Sequence, residues 1–208
     1  MNRTCLTTLC ALAVLSACGS WNTLNKEHML PPEARPSATP TTPRNVRATP
    51  WQRETFGKLV EFVGHTYRGE PLEGSSGAVA DIQAWNWAIG GAGISIRHAL
   101  EDRSYGGETI VYFDAETDAL AYVYITNAGF RTEGTFEVAE DGSWAAEEAV
   151  TGHDTITKVR STGTQRSDGS LLSESEYYEN GEWRSGNRFL YREVVDAVPE
   201  LDIPKRKK

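Results

Sequence analysis

Four histidines, His28, His65, His98 and His153, are the residues of this 208-residue sequence best suited to binding a metal or moving a proton near neutral pH. Zinc sites usually place two ligands on one element, at spacings such as His-Glu-x-x-His. None of the four stands in such a pattern, so neither a metal nor another cofactor is expected. His98 differs in its company, because it alternates on one face with Ile94, Ile96 and Leu100. It reads as a hydrogen-bonded interior imidazole, or as the base of an enzyme working with a cavity Tyr or Arg. Arg97 and Arg188 could grip a ligand carboxylate or simply pair with a neighbouring Glu. Glu147-Glu148 and Glu174/Glu176 give no sign of the burial a glycosidase dyad needs. Gly90-Gly91-Ala92-Gly93 lacks the strand-to-helix setting of a phosphate loop, and no nucleophile elbow is present. No catalytic residue is assigned.

The aromatic residues carry a second chemistry, that of a pocket with apolar walls and a few hydroxyl or indole donors. All of them except Trp21 lie from Trp51 onward. The candidate ligand-binding set is Trp85, Trp87, His98, Tyr112, Tyr122, Tyr124, Phe130 and Tyr177. Core filling and cross-strand pairing compete for the same residues. Near the end of the chain, Ser173, Ser175 and Tyr177 share one face, while Leu172, Glu174, Glu176 and Tyr178 share the other. The serines should face inward, since two unpaired carboxylates in an interior are costly.

Strands must position these side chains. Phe130, Thr132, Gly134, Phe136 and Val138 alternate with charged and polar neighbours, and turn chemistry such as Asp141-Gly142, Asp168-Gly169 and Asn180-Gly181 separates the runs. About ten strands follow, near 66–70, 81–89, 93–101, 108–114, 119–126, 130–139, 143–150, 154–163, 171–178 and 183–192, with no room for crossover helices. A meander this long leaves two edges unless it closes. The expected fold is therefore all-β: a closed antiparallel up-and-down barrel with a short N-terminal helix. Thr49 as N-cap, Pro50 and Gln52 open that helix, its stripe is Phe56, Leu59, Val60 and Val63, and Gly64 ends it.

With 21 Lys+Arg against 29 Asp+Glu, the net charge of −8 opposes general phosphate-backbone binding, so no nucleic-acid partner is expected. The first residues have another character: Met1-Asn2-Arg3 is a short polar start and Cys5 to Leu15 is mostly apolar, as in an export signal. The string Leu15-Ser16-Ala17-Cys18 resembles the lipobox of bacterial lipoproteins. That resemblance implies cleavage before Cys18, acylation of its thiol and new amino group, and a lasting hold on the bilayer. It also implies a place in the cell envelope, on the periplasmic face of the outer membrane, since Gly19 and not Asp follows the cysteine. Residues 18–49 carry Pro31, Pro32, Pro36, Pro40 and Pro43 among Ser and Thr and read as a tether that cannot bury a core. The chain thus divides into a signal peptide (1–17), lipidated Cys and tether (18–49), barrel domain (50–193) and basic tail (194–208).

The order of a helix, Gly64-His65-Thr66-Tyr67, ten short strands and a closing Phe189-Leu190-Tyr191-Arg192 resembles the calycin group of lipocalins, fatty-acid-binding proteins and nitrobindin-like barrels. Gly64-x-x-Tyr67 stands where lipocalins have Gly-x-Trp, and Arg192 stands near their closing-strand Arg. The nitrobindin-like likeness does not extend to haem, because no histidine follows His153. The implied function is a membrane-anchored envelope lipoprotein whose barrel binds a small, largely apolar ligand without changing it. The alternative is a structural or interaction lipoprotein whose barrel is filled by its own aromatics and whose surface meets an envelope partner.

Overall fold

The computed structural model describes residues 47–77 and 79–202. The lipobox with Cys18, nearly all of the tether, and Lys205 to Lys208 lie outside the described residues. Ten strands form one closed antiparallel barrel, each paired with its sequence neighbours, and the last returning to the first. They are β1 (Thr66–Pro71), β2 (Asp81–Ala88), β3 (Gly93–Leu100), β4 (Gly106–Asp114), β5 (Ala119–Thr126), β6 (Arg131–Val138), β7 (Trp144–Thr151), β8 (Ile156–Gln165), β9 (Leu171–Glu179) and β10 (Glu182–Val194). The seam runs from Thr66↔Val194 to Pro71↔Phe189. Closure leaves no edge strand to template aggregation.

The N-terminal helix differs from its expected form. Thr49 and Gln52 make the full capping box, and the Gln52 amide also donates to the Gly91 carbonyl at 3.0 Å, fixing the helix start to the β2–β3 turn. But α1 (Pro50–Phe56) stops at Gly57, whose φ of 53° and ψ of −133° are outside any helix. A five-residue 3₁₀ helix, Gly57–Glu61, continues the chain. Its three-residue repeat buries Phe56, Leu59 and Phe62, whereas Val60 and Val63 are only partly covered. Phe56 meets Trp87 at 5.9 Å between ring centroids, and Phe62 meets Tyr67 and Trp85 at 5.6 and 5.0 Å. The segment thus plugs one end of the barrel.

After β10 the chain does not simply trail into solvent. Pro199 is buried, Glu200 pairs with Arg103 on the β3–β4 loop, and Leu201 reaches Gly106. No helix among the described residues is long and apolar enough to cross a membrane.

Because Phe56 is fully buried in the plug, Phe56→Ala should destabilise the barrel by about 3–5 kcal/mol. Urea unfolding followed by tryptophan fluorescence measures this; a loss under about 1 kcal/mol, as expected of a surface change, would show that the barrel does not lean on its plug.

Candidate functional site

Inside the barrel lies a cavity of about 490 Å³. It extends from Trp85 and Trp144 near the plugged end to Leu100, Tyr105, Phe130, His153 and Ile156 at the other. The volume is within the range of small-molecule pockets, about 300–1,000 Å³. Six of the eight expected ligand-binding residues line it: Trp85, His98, Tyr122, Tyr124, Phe130 and Tyr177. Ser173 and Ser175 face it as expected, while Glu174 and Glu176 point outward to Arg188 and Arg160, at 2.7 and 2.6 Å.

The other two stand elsewhere. Trp87 packs under the plug against Phe56 and does not reach the cavity. Tyr112 lies on the outer face and is 39% exposed, because its neighbour Val111 takes the inward position. The run Ile110-Val111-Tyr112-Phe113 has no polar alternation to reveal which members point in.

The cavity wall is crossed by a chain of hydrogen bonds of which the sequence singles out only His98 and Tyr124. The His98 Nδ1–H donates to Asp81 Oδ1 at 2.8 Å, and Nε2 meets the Tyr124 hydroxyl at 2.6 Å. Tyr124 in turn meets the Tyr105 hydroxyl at 2.9 Å. From the other side, the Tyr191 hydroxyl donates to Asp81 Oδ2 at 2.8 Å and accepts from the Gln83 amide at 2.9 Å. A carboxylate oxygen accepts, and with Asp81 as the final acceptor the donors run consistently inward: Tyr105 to Tyr124 to His98 to Asp81. Burial pushes the Tyr105 hydroxyl up to about 12, that of Tyr124 further, and that of Tyr191 well above its ordinary value, so all three remain protonated donors at neutral pH. Each donor in this chain is engaged within the fold, and a relay of this kind holds its members in place.

Glycines make these long reaches possible. Gly69 sits between Tyr191 and Asp81 in the strand register, and a Cβ there would collide with the Tyr191 ring. At Gly107 a Cβ would lie 2.6 Å from the Tyr124 ring, which passes over β4 to reach His98 on β3. Gly134 separates Tyr122 from Glu148, and the Tyr122 hydroxyl crosses it to donate to Glu148 Oε2 at 2.9 Å. Inward glycines beside tyrosines on neighbouring strands were therefore the available signal for the site.

Glu148 is the second acid that the sequence left undetected, because in Glu147-Glu148 nothing distinguishes the inward member. Its inward neighbours on β7 are Trp144, Ala146 and Val150. Thr132 also donates to Oε2. Desolvation raises its pKa above the ordinary 4.5, and the Thr132 and Tyr122 hydroxyls only partly oppose this.

The other candidates lie apart from the cavity network. Arg97 and Arg188 are on the outside, paired with Glu108 and Glu174. His65 meets Glu193 at 2.7 Å on the surface. His153 stands at the open end, its Nδ1 accepting from the backbone of Thr155 and Ile156. Among the described residues, no three His, Cys, Asp or Glu converge on a point where a metal could sit. No family model matches the chain, and no curated protein does either.

A carboxyl whose pKa is higher folded than unfolded supports folding fully below pH about 4.5, and that support is lost as pH rises through the folded value. Glu148→Gln should therefore be more stable than wild type near pH 7 and about equal to it near pH 4. Urea midpoints at the two pH values measure the difference; a variant less stable at pH 7 would mean that Glu148 is not a buried charge at a cost.

Proposed function

We propose that this protein is a lipid-anchored envelope lipoprotein whose calycin-like barrel takes one small, largely apolar molecule into its lumen and holds it unchanged. The observation that carries the reading is the cavity of about 490 Å³, walled by aromatic rings, in a barrel plugged at one end. A barrel filled by its own side chains would leave no such volume, which weighs against the purely structural alternative. The His98 chain supports holding over turnover, because each of its donors is spent on a protein acceptor.

Two measurements test the two halves of the proposal. N-phenyl-1-naphthylamine, an uncharged fluorescent aromatic, should brighten and saturate at one molecule per chain, and Ser173→Trp should reduce its affinity about tenfold or more by filling part of the lumen. No brightening, or brightening unaffected by Ser173→Trp, would sink the cavity reading. For the anchor, radiolabelled palmitate should label the wild-type chain, and Cys18→Ser should abolish the label and move the protein into the soluble fraction. Persistent labelling of Cys18→Ser would remove the lipidation assignment.

A further inference from the structure

Glu148 is the acid on the cavity wall whose hydrogen bonds all fall on one of its two oxygens. No Lys or Arg lines the cavity. Lys158, across β8 from this strand, pairs on the outside with Glu147 at 3.6 Å. Asp81 has both oxygens engaged, by His98 and Tyr191. The hydroxyls of Tyr122 and Thr132 both fall on Oε2 of Glu148, and neither takes Oε1. Beside the carboxyl stands a ring cluster, with Tyr122 to Phe136 at 4.9 Å and Phe136 to Trp144 at 5.2 Å between centroids.

A carboxylate set among aromatic faces, with no protein cation at hand, is the chemistry that recognises an ammonium group. The ring quadrupoles attract the cation, the carboxylate neutralises it, and poor solvation strengthens both terms. An anionic ligand would meet two acids on this wall and no arginine or lysine. Resting on the cavity-binding reading above, we infer that the ligand is a small amphipathic amine, whose protonated nitrogen docks on Glu148 Oε1 and whose apolar body lies toward Val150, Ile156 and the open end. The raised pKa of Glu148 agrees with a carboxyl that gains its counter-charge only from a bound molecule.

The experiment displaces N-phenyl-1-naphthylamine from the full chain with three probes of one shape: 4-phenylbutylamine, 4-phenylbutanol and 4-phenylbutanoate. The amine should displace it at a concentration about tenfold or more below the alcohol, with the carboxylate weakest. In Glu148→Gln the ratio of amine to alcohol should fall to about one. An amine no better than the alcohol on the wild-type chain overturns the inference and leaves the cavity reading standing. A preference that survives Glu148→Gln overturns Glu148 as its seat. Failure of N-phenyl-1-naphthylamine to bind removes both readings together. The three-probe comparison is made on the wild-type chain, so it decides even where the variant does not fold.

Discussion

One hydrogen bond at the seam, from the Tyr191 hydroxyl to Asp81, ties together three strands that the chain makes at opposite ends of its length. Tyr191 belongs to β10, Asp81 to β2, and between them β1 contributes only six residues, one of them Gly69. Without that bond a nearly inaccessible carboxylate would stand in the barrel wall with one oxygen unmatched, which is among the more destabilising conditions a fold can carry. The same carboxylate orients His98, and through it Tyr124 and Tyr105. Closure of the cylinder and the arrangement of its polar wall are therefore one problem with one solution.

The barrel itself was readable because its signals are local. Alternation names the strands, and Asp-Gly or Asn-Gly between them names the hairpins; the observed strands start and stop within about two residues of those boundaries. What escaped was non-local or lacked contrast. The helix seemed to run through Gly57 because Phe56, Leu59, Val60 and Val63 fit a 3.6-residue repeat, yet the left-handed turn at Gly57 resets the period to three and brings in Phe62 instead. Tyr112 was misplaced because it sits in an unbroken apolar run, and Glu148 was hidden because its twin Glu147 stands beside it. The Tyr122–Glu148 and Tyr191–Asp81 pairs depend on register across three strands, which a single sequence does not encode in any local pattern.

The two halves of the lumen divide the labour between stability and chemistry. Toward the plug the packing is dense and almost wholly apolar, with Phe56, Leu59, Ile94 and Val111 inaccessible to solvent. Toward the middle the wall carries a buried acid with a raised pKa, hydroxyls that cross glycine gaps, and unfilled volume, all of which work against folding. Near the plugged end, the indole N–H groups of Trp85 and Trp144 are a further cost, being buried without an acceptor at about 1–3 kcal/mol apiece. Aromatic packing at the plug offsets what the middle of the barrel gives up.

The plug also bears on how the proposed ligand would come and go. With one end stoppered by Phe56, Leu59 and Phe62, the proposed ligand would enter and leave past the stacked rings of Tyr105 and Phe130, whose centroids lie 6.3 Å apart. A vessel of that shape cannot act as a conduit between two compartments. For a ligand so held, the characteristic quantity would be dwell time, governed by how readily those two rings part.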